Sequence, residues 1–114
     1  MEHSLVYRRI YFLKELGNTR VRYRKIMIQS INVQQMAALA KIVQFMLNGS
    51  LSILQRDYRI FRRYINMLRQ LISPSISLTR KRNSLLRHHD LLPRILREYY
   101  LNQTIIIEIQ NADE

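Results

Sequence analysis

Arg56, Arg59, Arg62, Arg63 and Arg69 recur at intervals that would bring them to one side of an α-helix. Set about 100° apart around an axis, they share half the circumference with Asn66 and Gln70, and no apolar side chain intrudes. Ile60, Phe61, Tyr64, Ile65, Leu68, Leu71 and Ile72 take the other half, with Tyr58 and Met67 at its margins. A solvated helix face usually mixes signs, because opposite charges four residues apart support one another. Here Arg59, Arg62, Arg63 and Arg69 have no acidic residue three or four positions away, and like charges at that spacing repel. The guanidinium is a planar fork of donors that matches phosphate oxygens. The chemistry expected of this stripe, about 20 Å long at a rise of about 1.5 Å per residue, is therefore the binding of a polyanion through its phosphates.

Two further clusters fit the same chemistry. Arg80, Lys81 and Arg82 follow Ser77, which has the character of a helix N-cap. Cations in a first turn oppose the helix dipole, while that turn's open N–H groups favour an anion, so dipole, amides and side chains would form a phosphate cradle. Arg22, Arg24 and Lys25 surround Tyr23 in a third basic segment. Tyrosines beside arginines (Tyr7, Tyr11, Tyr23, Tyr99, Tyr100) suit either base stacking or the amphipathic rim of a core, and the rim is the commoner use. Tyr58 and Tyr64, which flank the apolar half, are expected in the core or at its edge.

Other chemistries find little to work with. The chain has no Cys, which excludes disulfides, thiolate metal sites and cysteine nucleophiles. His88 and His89 are adjacent, so on a helix they point about 100° apart, and no histidine four residues away could share a metal. Near a helix C-terminus they suit the dipole. There is no glycine-rich phosphate loop and no nucleophile with a recognisable base. We expect no catalytic residues, metal, cofactor or small-molecule substrate: not an enzyme.

Charge supports the stripe. Nineteen Lys and Arg against eight Asp and Glu give +11, and fifteen of the nineteen are Arg. Residues 16–89 hold fourteen basic side chains and one acid, Asp57. A body so charged repels itself, and an anionic partner is the natural counterweight. Nucleic acid is expected, DNA rather than RNA, with a possible homo-oligomer. The apolar share of 47% over 114 residues allows one domain with one modest core. The longest apolar run, Met36 to Leu47, includes Lys41 and Gln44 and is too short to span a bilayer. The first sixteen residues carry Arg8, Arg9, Lys14 and Glu15, unlike a secretory signal. A soluble, intracellular protein is expected.

The elements that must position these residues can be traced along the chain. Two Gly and two Pro leave few breaks, which favours helices. Ser4 would cap a helix over about 5–16, stopped by Gly17-Asn18. Residues 20–28 alternate basic and apolar like a strand at first, yet fit a short helix, and helix is preferred. Asn32 caps a helix from Val33 to Leu47 that is apolar almost all round and hence central, closed by Asn48-Gly49. Ser52 would cap a helix over about 53–72, ended by Ser73-Pro74. Ser77 opens another through about His89. Asp90 and Pro93 mark a break, and a last helix runs to about Leu101. The tail from Thr104 to Ile109 is β-branched and suits a strand, a helix extension or a frayed end. The expectation is an all-α, single-domain bundle of five or six helices over 1–103 with a C-terminal tail over 104–114.

Several of these segments, read together, resemble the short basic proteins of Maverick/Polinton-type DNA transposons and adintovirus-like genomes. The resemblance runs from about Arg20 to Leu96. It begins with the basic segment Arg22-Tyr23-Arg24-Lys25-Ile26. The family's "ALxxxxxNxLxGxxxLS" character is similar to Ala38-Leu39 through Asn48-Gly49-Ser50-Leu51, and its second basic helix to Tyr58 through Leu71. Its "basic cluster–xLL–GGFLPxLL" signature resembles Arg80-Lys81-Arg82-Asn83-Ser84-Leu85-Leu86 and then Leu91-Leu92-Pro93-Arg94-Ile95-Leu96. The family's glycine pair and aromatic are replaced here by His89-Asp90-Leu91. The resemblance implies a gene of virus or transposon origin handling DNA in a nucleus or virion, and it implies no activity. The rival expectation is a structural or oligomeric interaction protein, such as a virion component, whose basic face meets an acidic protein.

Overall fold

The longest helix starts on a reciprocal pair of hydrogen bonds: Gln35 N–H donates to Asn32 Oδ1 at 2.8 Å, and Asn32 N–H donates to Gln35 Oε1 at 3.0 Å. This capping box satisfies two of the donors that a helix start leaves open. The structure, a computed structural model, describes residues 4–99 and contains eight α-helices and no strand among them. They are α1 (Ser4–Tyr7), α2 (Ile10–Asn18), α3 (Val21–Gln29), α4 (Val33–Leu47), α5 (Gln55–Arg63), α6 (Ile65–Ile72), α7 (Leu78–Arg87) and α8, described over 91–99. The all-helical, single-domain expectation holds. The tail over 104–114 lies outside the described residues.

Eight helices rather than five or six result because two expected helices are each broken. The first gives way at Arg8-Arg9, where Arg9 N–H turns back to the Val6 carbonyl and the Arg9 guanidinium reaches Gln34 Oε1. It begins at Ser4 itself. The fourth divides at Tyr64, whose N–H is shared between the Ile60 and Phe61 carbonyls and whose ring lies 5.1 Å from that of His88. That same helix starts at Gln55, not after Ser52; Leu54 takes the N-cap position without a side-chain cap. The segment left open between strand and helix is helical, as α3.

α4 is the centre. Met36, Leu39, Ile42, Val43 and Phe45 are buried, and the helix packs against α6 on one side and α1 on another. Its first turn leaves the core, since Val33 is exposed. α3 packs on α2 and α7, and α7 on α6. Asn48 and Gly49 end α4 as the sequence requires: Gly49 has φ +82°, where a side chain would be strained. Ser77 Oγ accepts from Arg80 N–H at 3.2 Å, which starts α7 at Leu78.

Gly17 does not stop a helix; it lies inside α2, which continues to Asn18. Its role is clearance. A Cβ there would come within 2.9 Å of Leu96 Cδ1 and 3.3 Å of Leu96 Cβ, and Leu96 is buried in α8. Gly17→Val is expected to lower stability by about 2–3 kcal/mol through overpacking, read as a fall in the midpoint of urea denaturation. Adding Leu96→Ala should recover part of that loss, so that the two changes are not additive.

Candidate nucleic-acid interface

α5 carries four of the stripe arginines and buries the opposite side. Phe61 and Asp57 face inwards, whereas Arg56, Arg59, Arg62 and Arg63 are exposed. Arg69 is exposed on α6, and Met67, Leu68 and Leu71 anchor that helix in the core. The break at Tyr64 divides the stripe into two segments without turning any of its members inwards. Among the described residues none of the five arginines makes an ion pair; the two ion pairs present belong to Arg94 and Arg97.

Both of those pairs go to Asp57, which is fully buried. Arg94 Nη1 donates to Oδ1 and Arg97 Nη2 to Oδ2, each at 2.9 Å. Glu98, also buried, accepts the Leu54 N–H through Oε2 at 3.2 Å. Burial pushes the Asp57 carboxyl up, but hydrogen bonds from Glu98, Arg97 and Arg94 outweigh it and hold it below the usual carboxylate range. Burial and the bond to Asp57 push Glu98 up, against the pull of the Leu54 N–H and of Arg97. The one acid of the central region is thus neutralised from α8, and its charge is withheld from the arginine face.

The second cluster does not gather into one cradle. Arg80 is exposed and shares a groove of about 490 Å³ with Gln70, Asn83 and Arg87, between α6 and α7. Lys81 is half-buried beside Val33, Met36 and Leu78, where its aliphatic stem covers apolar surface. Arg82 turns inwards: its Nε donates to the Ile31 carbonyl at 2.8 Å, and its Nη2 reaches the same oxygen. As the N-cap, Ser77 takes the Arg80 N–H, so that amide is not open to an anion. Arg87 was counted in the sequence only for its charge. Its position seven residues after Arg80, two turns along one face, is the signal that would have found it.

In the third cluster Arg22 and Lys25 are exposed, but Arg24 is not a surface residue. Its Nε donates to the Leu16 carbonyl at 3.1 Å and its Nη2 to the Thr19 carbonyl at 3.0 Å. It satisfies acceptors at the C-terminal end of α2, where a cation also suits the dipole. Burial lowers the Arg24 pKa, partly offset by the charge of Asp90. Arg24 therefore leaves the set of candidate contacts, and Arg82 has its Nε and Nη2 engaged by the Ile31 carbonyl.

Tyr64 is half-buried as expected, but Tyr58 is not a core residue: it is 54% exposed. Its ring borders a second groove of about 430 Å³ with Phe61 and Leu68 in its lining and Arg62 and Arg69 beside them. Among the described residues no helix is long and apolar enough to cross a membrane. No family model, curated protein or solved structure matches the chain.

Proposed function

We propose that this chain binds nucleic acid, DNA in the first instance, through its phosphates and without sequence preference, as a non-enzymatic packing or condensing protein. A gene of virus or transposon origin, acting in a nucleus or virion, goes with that proposal. The observation that carries it is the separation of charge. Arg56, Arg59, Arg62, Arg63 and Arg69 are exposed and, among the described residues, lack carboxylate partners, while Asp57 on the same helix is buried under Arg94 and Arg97. Guanidinium groups repeating along a helix surface suit the repeating charge of a phosphate backbone. Arg80 and Arg87, with Arg22 and Lys25, extend the basic surface beyond the stripe.

The test is a salt titration of duplex binding by fluorescence anisotropy. Five neutralised phosphates give a slope of log K against log salt of about −4.5, a loss of about 500-fold between 50 and 200 mM. Affinity that hardly moves with salt would refute the reading.

A second reading, association of this chain with itself, is supported by a different surface. Tyr11 is 87% exposed, and Tyr23 and Ile26 on α3 are each more than half exposed. Large exposed apolar side chains such as these can take part in a protein contact. Light scattering before and after nuclease treatment separates the two: an oligomer that survives nuclease and high salt supports self-association.

A further inference from the structure

Tyr58 is the one aromatic residue of the α5–α6 pair that the fold leaves mainly outside. It stands between the buried Asp57 and Arg59, and Arg62 stands one turn further on the same side. Its ring borders a groove whose lining includes the buried side chains of Phe61, Leu68 and Met46, with Arg62 and Arg69 in the same lining. The volume, about 430 Å³, falls within the range of small-molecule sites, roughly 300–1,000 Å³. An exposed aromatic, an apolar floor and two guanidinium groups are complementary to one kind of ligand fragment: a flat ring with apolar faces, hydrogen-bonding edges and a phosphate on either side.

We propose that this groove holds an unpaired nucleobase, stacked on Tyr58, with its neighbouring phosphates on Arg62 and Arg69. The inference rests on the nucleic-acid reading and deepens it, because it makes a single strand the preferred partner. Every base has a π-face, so stacking adds affinity without sequence preference. In a duplex that face is covered by the neighbouring base pairs, and exposing it requires unstacking. Arg56, Arg59 and Arg63, exposed on the same helix, supply the contacts by which the rest of the strand is held. An acidic peptide would satisfy the two arginines, but it makes no use of an exposed aromatic wall and a run of arginines continuing along the helix.

The test uses the full chain with Tyr58→Trp, since the natural sequence has no Trp and the new indole is a lone reporter. Tyr58→Ala is studied alongside, and thermal melting checks that both variants, altered at an exposed position, remain folded. Three probes are titrated: an oligothymidylate, an abasic strand of equal length, and a duplex of the same length. The expected result is indole quenching that saturates with the oligothymidylate and is small with the other two. Tyr58→Ala should weaken oligothymidylate binding by roughly tenfold while duplex affinity changes less than twofold. If Tyr58→Ala weakens all three probes alike, or none, the base site is overturned and the phosphate reading stands. If none of the probes binds even at low salt, the nucleic-acid reading itself fails. Quenching by a poly-glutamate peptide as strong as that by the oligothymidylate would show that the groove takes acidic protein, and would also overturn the proposal.

Discussion

Arg59→Gln, Arg62→Gln and Arg63→Gln combined should weaken duplex binding by about a hundredfold at 150 mM salt and reduce the salt slope by about 2.7. Each lost phosphate contact removes about 0.9 from the slope, and at that salt each is worth roughly fivefold in affinity. The fold should not suffer. All three side chains are exposed, and relieving like charges three or four residues apart returns a few tenths of a kcal/mol per pair. Arg94→Gln is the control, because it also removes one positive charge but from the group that holds Asp57. It is expected to lower the melting temperature slightly, with Arg97 still in place, and to leave the slope near the unmodified value. Anisotropy titrations at four salt concentrations would check both statements. A triple variant that kept the original slope would exclude the stripe as the contact surface, even if the protein still bound DNA elsewhere.

The parts of this fold that were legible in the sequence are those fixed by neighbours in the chain. Asn32, Ser77 and Gly49 each act through bonds or dihedrals within a few residues, and each stands where the sequence indicates. The division of residues 56–72 into a basic half and an apolar half follows from helical period alone. What the sequence did not disclose depends on distant partners. The break at Tyr64 goes with a ring contact to His88, and the clearance at Gly17 exists for Leu96. Whether a basic residue faces solvent is the hardest to foresee, because Arg24 and Arg82 look no different from Arg22 and Arg80. Their fate is decided by the carbonyls of Leu16, Thr19 and Ile31, which become available only once the chain has folded around them. Tyr58 illustrates the converse: it lies at the margin of an apolar half and is left mainly exposed. For the candidate interface, then, helical period identified the stripe, while tertiary contacts removed Arg24 and engaged Arg82.

Asp57→Ala should lower stability by about 2–4 kcal/mol and the melting temperature by about 10 °C or more. Both carboxylate oxygens accept charge-assisted bonds from α8, and Glu98, also on α8, accepts the Leu54 N–H at the start of α5. Removing the carboxylate therefore unties Arg94 and Arg97 of α8 from α5. The cost stays below that of a fully stranded buried ion pair, because Arg94 and Arg97 are each more than 40% exposed and can turn their charge to water. The same cluster sets a pH dependence on both sides. Asp57 has a lowered pKa in the fold, so its contribution is present above its unfolded value of about 3.9 and is lost as pH falls through the folded pKa. Glu98 has a raised pKa, so its contribution is complete below about 4.3 and is lost as pH rises through the folded pKa. Glu98→Gln cannot ionise, and it should remove the decline on the alkaline side while leaving the acid side in place. Melting temperatures of the natural chain, Asp57→Ala and Glu98→Gln across about pH 3 to 8 would decide it. Parallel curves for the natural chain and Glu98→Gln would mean that Glu98 does not hold its proton, and that Asp57 is neutralised by the two arginines alone.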